Sequence, residues 1–248
     1  MISVVVVSHS PALAQAAVDL ALQMVPGVKP AIAIAAGAGE GLIGTDAMAV
    51  SAAIDEVASP DGVLVIMDLG SAVMSAELAL EFRSSDTEVR LSSAPFVEGI
   101  LAAIVTAAGG ASLDDVDREA RSALAAKISM LRQANVPASV PASAIVLPAS
   151  AAPSAAAELS AEVTVIIPDG LHARPAATLV STLASFDAKL TVANRRTSSA
   201  PVAGNSLIGL LSLGAKAGDV LTVTASGAQA GEALAKMIEL MADGFGEL

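Results

Sequence analysis

The sequence predicts a two-part protein. The N-terminal part is a doubly wound α/β domain with a mostly parallel sheet, and the C-terminal part is an α+β open-faced sandwich. Three observations predict this. Over residues 1–133, short apolar runs alternate with helical patterns, the mark of strands covered by helices on both faces. Over 161–248, two extended segments follow one another without an intervening helix, which signals antiparallel pairing. Between the two, residues 134–160 hold 10 Ala, 5 Ser and 4 Pro among 27 residues. That stretch has no periodicity and few large apolar side chains, so it reads as an extended linker.

In the first part, Ile2–Val7 is a β-branched run and reads as a buried strand, with a helix over Pro11–Met24 behind it. Ala31–Ala35 is a second strand, then a glycine-rich loop, then a helix near Asp46–Val57. Pro60-Asp61-Gly62 signals a turn into a third strand, Val63–Met67, and a helix over Ala72–Phe82. Glu88–Ser92 reads as a fourth strand, and helices are expected over Phe96–Ala107 and Leu113–Arg132. In the second part, Glu162–Ile167 is a strand, Pro168-Asp169-Gly170 a turn, and Ala173–Ala184 a helix. Lys189–Ala193 is a strand with Thr197–Val202 as its expected partner. A short helix over Leu207–Leu211, a strand over Leu221–Ala225 and a closing helix over Gln229–Ala242 complete it.

Composition excludes several function classes. The formal net charge is −12, and phosphate-backbone binding needs clustered Lys and Arg, so no nucleic-acid or anionic-membrane partner is expected. Cysteine is absent, which removes disulfides, thiolate metal sites and a cysteine nucleophile. No metal and no bound cofactor are expected. Mean hydropathy is +0.69, yet the uncharged run Gly99–Leu113 is only 15 residues long, short of the about 20 a spanning helix needs. The first basic residue is Lys29, so no signal peptide is expected. The expected setting is cytoplasmic.

The chain has two histidines, and both fall between a strand and a helix. His9 ends the Val4-Val5-Val6-Val7-Ser8 run, and Pro11 follows at a first helical position, which proline favours. The carboxyl end of a strand in an open α/β sheet is where ligands bind. His172 stands in Gly170-Leu171-His172-Ala173-Arg174-Pro175-Ala176, again before a helix. Backbone N–H groups of a first helical turn have no intrahelical partner and seat a phosphoryl group, with Arg174 as a fixed cation. A histidine so placed suits phosphate on a ring nitrogen. Asp68, at the carboxyl end of the third strand, is the candidate orienter of His9. Capping of the following helix is the competing role for it. Thr45 and Ser71 open helices on the same rim, as phosphoryl donors or as N-caps.

Gly170-Leu171-His172-Ala173-Arg174-Pro175-Ala176 resembles the active-site signature of HPr, the histidine phosphocarrier of the sugar phosphotransferase system. Asn205-Ser206-Leu207-Ile208-Gly209-Leu210-Leu211-Ser212-Leu213-Gly214 resembles HPr's second signature. Val7-Ser8-His9-Ser10, Gly44-Thr45-Asp46-Ala47, Met67-Asp68-Leu69-Gly70-Ser71-Ala72 and Ala94-Pro95-Phe96-Val97-Glu98-Gly99 resemble mannose-type IIA domains. The likeness is strongest to the phosphotransferase subunit of phosphoenolpyruvate-dependent dihydroxyacetone kinases.

The resemblance implies a mannose-type IIA domain over 1–133, a linker over 134–160 and an HPr domain over 161–248. It implies phosphoryl transfer from phosphoenolpyruvate through Enzyme I to His172 on Nδ1, then to His9 on Nε2. The final acceptor would be ADP on the nucleotide-binding kinase subunit, which acts with a dihydroxyacetone-binding subunit. Enzyme I is expected as a separate protein. The alternative is a relay feeding a mannose-type sugar transporter or a transcriptional regulator. The resemblance also implies a homodimer through the IIA domain, and the apolar character of the helices Phe96–Ala107 and Leu113–Arg132 would suit them to supply a face. Ser206 matches a regulatory serine of HPr, although N-capping of the next helix explains it as well. Gly39-Glu40-Gly41-Leu42-Ile43-Gly44 matches a dinucleotide-binding pattern, with Asp68 ending the next strand. That reading leaves both histidines and the linker unexplained.

Overall fold

The structure, a computed structural model, describes residues 1–39, 41–134, 159–197 and 199–246. The linker reading falls almost wholly on 135–158, outside the described residues.

The first sheet has four parallel strands in the order β2-β1-β3-β4. They are β1 (Ser3–Ser8), β2 (Ile32–Ala36), β3 (Val63–Met67) and β4 (Val89–Ser92). β1 and β3 are central, and every residue of both is buried, which is why they read as continuous apolar runs. Their side chains alternate between two cores. Val4, Val6, Leu64 and Ile66 join the core under helices α1 (Pro11–Leu22), α4 (Phe96–Ala108) and α5 (Leu113–Ser122). Val5, Val7, Val63, Val65 and Met67 join the core under α2 (Ala47–Glu56) and α3 (Gly70–Phe82). Each such buried side chain contributes about 2 kcal/mol, and helices on both faces make the domain doubly wound.

Strand order fixes the site. The chain leaves β1 for β2 on one side, then crosses to β3 on the other. The carboxyl ends of β1 and β3 therefore flank the topological switch point, where open α/β sheets bind ligands.

The second sheet is antiparallel, in the order β5-β8-β6-β7. Its strands are β5 (Leu159–Thr164), β6 (Lys189–Asn194), β7 (Val202–Ala203) and β8 (Val220–Ser226). In β8 the buried residues Leu221, Val223 and Ala225 alternate with partly exposed ones. Helices α7 (Ala173–Leu183), α8 (Leu207–Ser212) and α9 (Ala230–Ala242) join these residues in one core, so the sandwich is open on its other face.

Three expectations need correction. The helix expected over Leu113–Arg132 is two, α5 and α6 (Leu124–Ala134), separated at Ala123. Polar α5 turns Val116 and Ala120 toward the sheet, whereas Ala123 and Ala126 turn toward Ile208 of the second domain. One straight helix would not face both. The pairing expected of Thr197–Val202 is confined to Val202 and Ala203 opposite Val192 and Thr191. Helix α4 does not offer a dimer face, because α1 and α5 pack on it and α7 and α8 approach it from the second domain.

Candidate functional site

His9 follows β1 at the switch point, and Asp68 follows β3 beside it. The β1–β3 register pairs Val7 with Met67, which brings the two residues that follow side by side. His9 Nδ1 lies 2.8 Å from Asp68 Oδ1, and the His9 backbone N–H donates to Asp68 Oδ2 at 2.8 Å. Ser8 Oγ donates to the same Oδ2 at 2.8 Å, and Leu69 N–H donates to Oδ1 at 2.6 Å. Burial works to raise the Asp68 carboxyl, but the bonds from His9, Ser8 and Leu69 outweigh it and hold it below the usual carboxylate range. An ionised Asp68 keeps the proton on Nδ1 and leaves Nε2 with the lone pair. Ser71 Oγ lies 2.5 Å from that Nε2. Asp68 does not cap α3, whose N-cap is Leu69, with no side-chain cap bond.

His9 Nε2 therefore faces the start of α3 at the Ser71 hydroxyl. A phosphoryl group on Nε2 would meet unsatisfied N–H groups and the positive end of the helix dipole. Thr45 is not a cap, since Asp46 caps α2. Its hydroxyl instead lies 2.8 Å from Ser75 Oγ, one turn along α3 from Ser71. The glycine-rich loop closes this side of the site, with Gly44 N–H donating to the His9 carbonyl at 3.2 Å. Gly44 has φ +152°, and a Cβ there would come within 2.7 Å of Ala38 Cβ. Backbone geometry over His9 thus accounts for a glycine of the dinucleotide-like pattern.

Ser8 and Ser75 were not singled out from the sequence. Both are serines on regular elements, and the β1–β3 register is the signal that could have placed Ser8 against Asp68. Serine 10 caps α1, accepting from Leu13 N–H at 3.3 Å.

His172 is the N-cap residue of α7, and its side chain gives that helix no cap bond. His172 thus precedes, and His9 Nε2 faces through Ser71, a helix start without a side-chain cap bond. The His172 carbonyl accepts from Ala176 N–H at 3.1 Å, and its N–H donates to Gly170 O at 2.9 Å. Arg174 lies in the first turn of α7 and Pro175 is buried beside it. Gly170 has φ +75°, and a Cβ there would overlap Ala215 O and lie 3.0 Å from Lys216 Cα. Only glycine fits this approach.

Ser206 caps α8, accepting from Gly209 N–H at 2.9 Å while its hydroxyl donates to Glu119 Oε2 at 2.9 Å. Ile208 N–H reaches the same oxygen at 3.4 Å. Burial raises the Glu119 carboxyl above its usual range, and these bonds offset only part of that. Among the described residues there is no group of three or more metal-ligating side chains. None of their helices is long and apolar enough to cross a membrane.

Two family models match the chain. "PTS system fructose IIA component" covers residues 3–117, and "PTS HPr component phosphorylation site" covers 159–243. The chain is 43% identical over 251 residues to the "PEP-dependent dihydroxyacetone kinase, phosphoryl donor subunit DhaM" of Pantoea ananatis, covering 100% of this chain and 51% of that protein. The protein of the same description from Escherichia coli K12 is 41% identical over 253 residues, with the same coverage. A "PEP-dependent dihydroxyacetone kinase 2, phosphoryl donor subunit DhaM" from Listeria innocua is 34% identical over 107 residues, 42% of this chain and 85% of that protein. The chain spans about half the length of the first two relatives. With an HPr domain following a phosphotransferase IIA domain, and with these identities, the chain belongs to the DhaM family of phosphoryl donor subunits.

Proposed function

We propose that the protein is a two-histidine relay. Enzyme I, charged by phosphoenolpyruvate, transfers a phosphoryl group to Nδ1 of His172. His9 Nε2 then attacks that phosphorus, the P–N bond to His172 breaks, and a P–N bond to His9 forms. ADP on the nucleotide-binding kinase subunit takes the group in the last step, and the ATP formed there phosphorylates dihydroxyacetone. Asp68 orients His9 and compensates the charge that develops on its ring. Ser71, Thr45 and the first turn of α3 hold the phosphoryl oxygens at His9, and Arg174 with the first turn of α7 holds them at His172. Catalysis of this kind is positioning and charge stabilisation. The setting is cytoplasmic. Homodimerisation belongs on the outer face of α3, where Met74, Leu78 and Phe82 are exposed. Ser206 is assigned to capping and docking.

The observation that carries this reading is the His9 ring. Its Nδ1 is committed to Asp68, and Nε2 faces Ser71 at an uncapped helix start. The test is intact-mass spectrometry at mildly alkaline pH after mixing with Enzyme I and phosphoenolpyruvate. Two phosphoryl groups on wild type, one on His9→Ala and none on His172→Ala are expected. Discharge by the ADP-loaded kinase subunit, and not by a transporter IIB domain, names the acceptor. A wild type that stays unmodified beside an active HPr control would sink the relay.

A further inference from the structure

We propose that Asp219, although distant in sequence from the phosphorylation loop, is the positioning residue that sets the backbone of His172. The inference rests on the relay reading above. Asp219 is nearly buried and gathers three donors. Arg196 Nε reaches Oδ1 at 2.6 Å, and Asn194 Nδ2 and Lys216 N–H reach Oδ2 at 3.0 and 2.9 Å. The same two side chains hold the loop that precedes Asp219. Asn194 Nδ2 donates to Leu213 O at 3.2 Å, and Arg196 donates through its terminal nitrogen to Gly214 O at 2.9 Å. Residues 213–219 are thereby tied at both ends to one ion-paired hub.

That loop is the floor of the His172 loop. Ala215 O accepts from Leu171 N–H at 2.9 Å, and Gly170 presses directly on Ala215. Asp219 O accepts from Val165 N–H at 2.9 Å, and Gly218 N–H donates to Val165 O at 2.8 Å, just before the Ile167–Gly170 turn. Both arms of the segment carrying His172 are therefore fastened to residues that Asp219 organises. If the hub relaxes, the Ala215 carbonyl turns, Leu171 N–H loses its acceptor and the start of α7 shifts. Displacements of about 1 Å at a reacting centre cost up to about 100-fold in rate. Asp219 touches no reacting atom, so its effect is on placement.

The test uses the full chain in a His9→Ala background, so that only His172 is loaded. Enzyme I and phosphoenolpyruvate supply the group, and kcat and KM are read for the chain as substrate, per folded molecule, well below each melting temperature. Asp219→Ala is expected to lower kcat about tenfold with KM little changed, and to shift the His172 ring signals in a 1H–15N spectrum. Arg196→Gln, which keeps the Asn194 and Lys216 bonds to Asp219, is expected to show a smaller change of the same kind. It also decides the matter if Asp219→Ala does not fold. Folded variants with wild-type kcat and unmoved ring signals would overturn the proposal and leave Asp219 a stability residue only. A parent chain that takes up no phosphoryl group would instead overturn the relay, and this inference with it.

Discussion

At the scale of single residues, the site at His9 is a problem of tautomer control. Asp68 receives the ring N–H, two backbone N–H groups and one hydroxyl. Replacing it with Asn keeps the shape but removes the charge that fixes the proton on Nδ1. Asp68→Asn is expected to slow loading of His9 by about 100-fold while His172 loads at the wild-type rate, as followed by rapid-quench mass spectrometry. Ser8 lies a layer deeper. It is fully buried, donates to Asp68 and accepts from Ser10 N–H. Ser8→Ala removes one of the two bonds to Asp68 Oδ2 and takes the acceptor from the Ser10 amide, and is expected to cost about 1–3 kcal/mol in urea unfolding of the N-terminal domain. Because the folded state lowers the Asp68 carboxyl, its contribution to stability is present above the ordinary carboxylate range. It is lost as pH falls through the depressed folded value.

At the scale of elements, legibility followed burial. β1 and β3 were plain because strands buried on both faces must be apolar at every position. The bounds of the short β7 were hidden because two paired residues carry no periodicity. The break between α5 and α6 was hidden because its cause lies in another domain: Ala123 and Ala126 face Ile208. His9 and Asp68 were visible as strand-end residues, whereas Ser8 needed the β1–β3 register to become part of the site. The loop bearing His172 shows the same division. Its glycine was legible as a turn residue, but the reason that no Cβ fits is contact with Ala215, 45 positions onward. Gly170→Ala combines a left-handed backbone with overlap against a backbone carbonyl, and neither can be relieved by a side-chain rotation. We expect a loss of about 2–4 kcal/mol in the C-terminal domain. A calorimetric scan resolving the two domains checks this, with the N-terminal transition unmoved.

At the scale of the whole molecule, the two domains meet where α4, α5 and α6 face α7 and α8. Glu119 of α5 accepts from Ser206 and Ile208 at the start of α8. Ala102, Ala123 and Ala126 close around Ile208. Nearby, Thr106, Gly109, Ala184 and Lys189 line a cleft of about 500 Å³. The proposed relay needs two histidines on separate domains to meet, so this contact is expected to open. Its electrostatics give it a sign. Burial disfavours the ionised Glu119, Asp115 adds to that, and Arg118 with the Ser206 and Ile208 bonds opposes it. In this arrangement burial holds the carboxyl above its ordinary range; we predict that undocking returns it toward that range, so that the protonated form favours the docked state. Docking should therefore strengthen as pH falls from neutrality toward the raised value, and weaken as pH rises. Paired spin labels on α3 and α9, read across that range, should show the docked population growing on acidification. Glu119→Gln removes the charge and keeps an acceptor, and should dock well at every pH with the slope gone. A wild type whose docked population is indifferent to pH, or a Glu119→Gln chain that keeps the slope, would mean that another group governs how the domains meet.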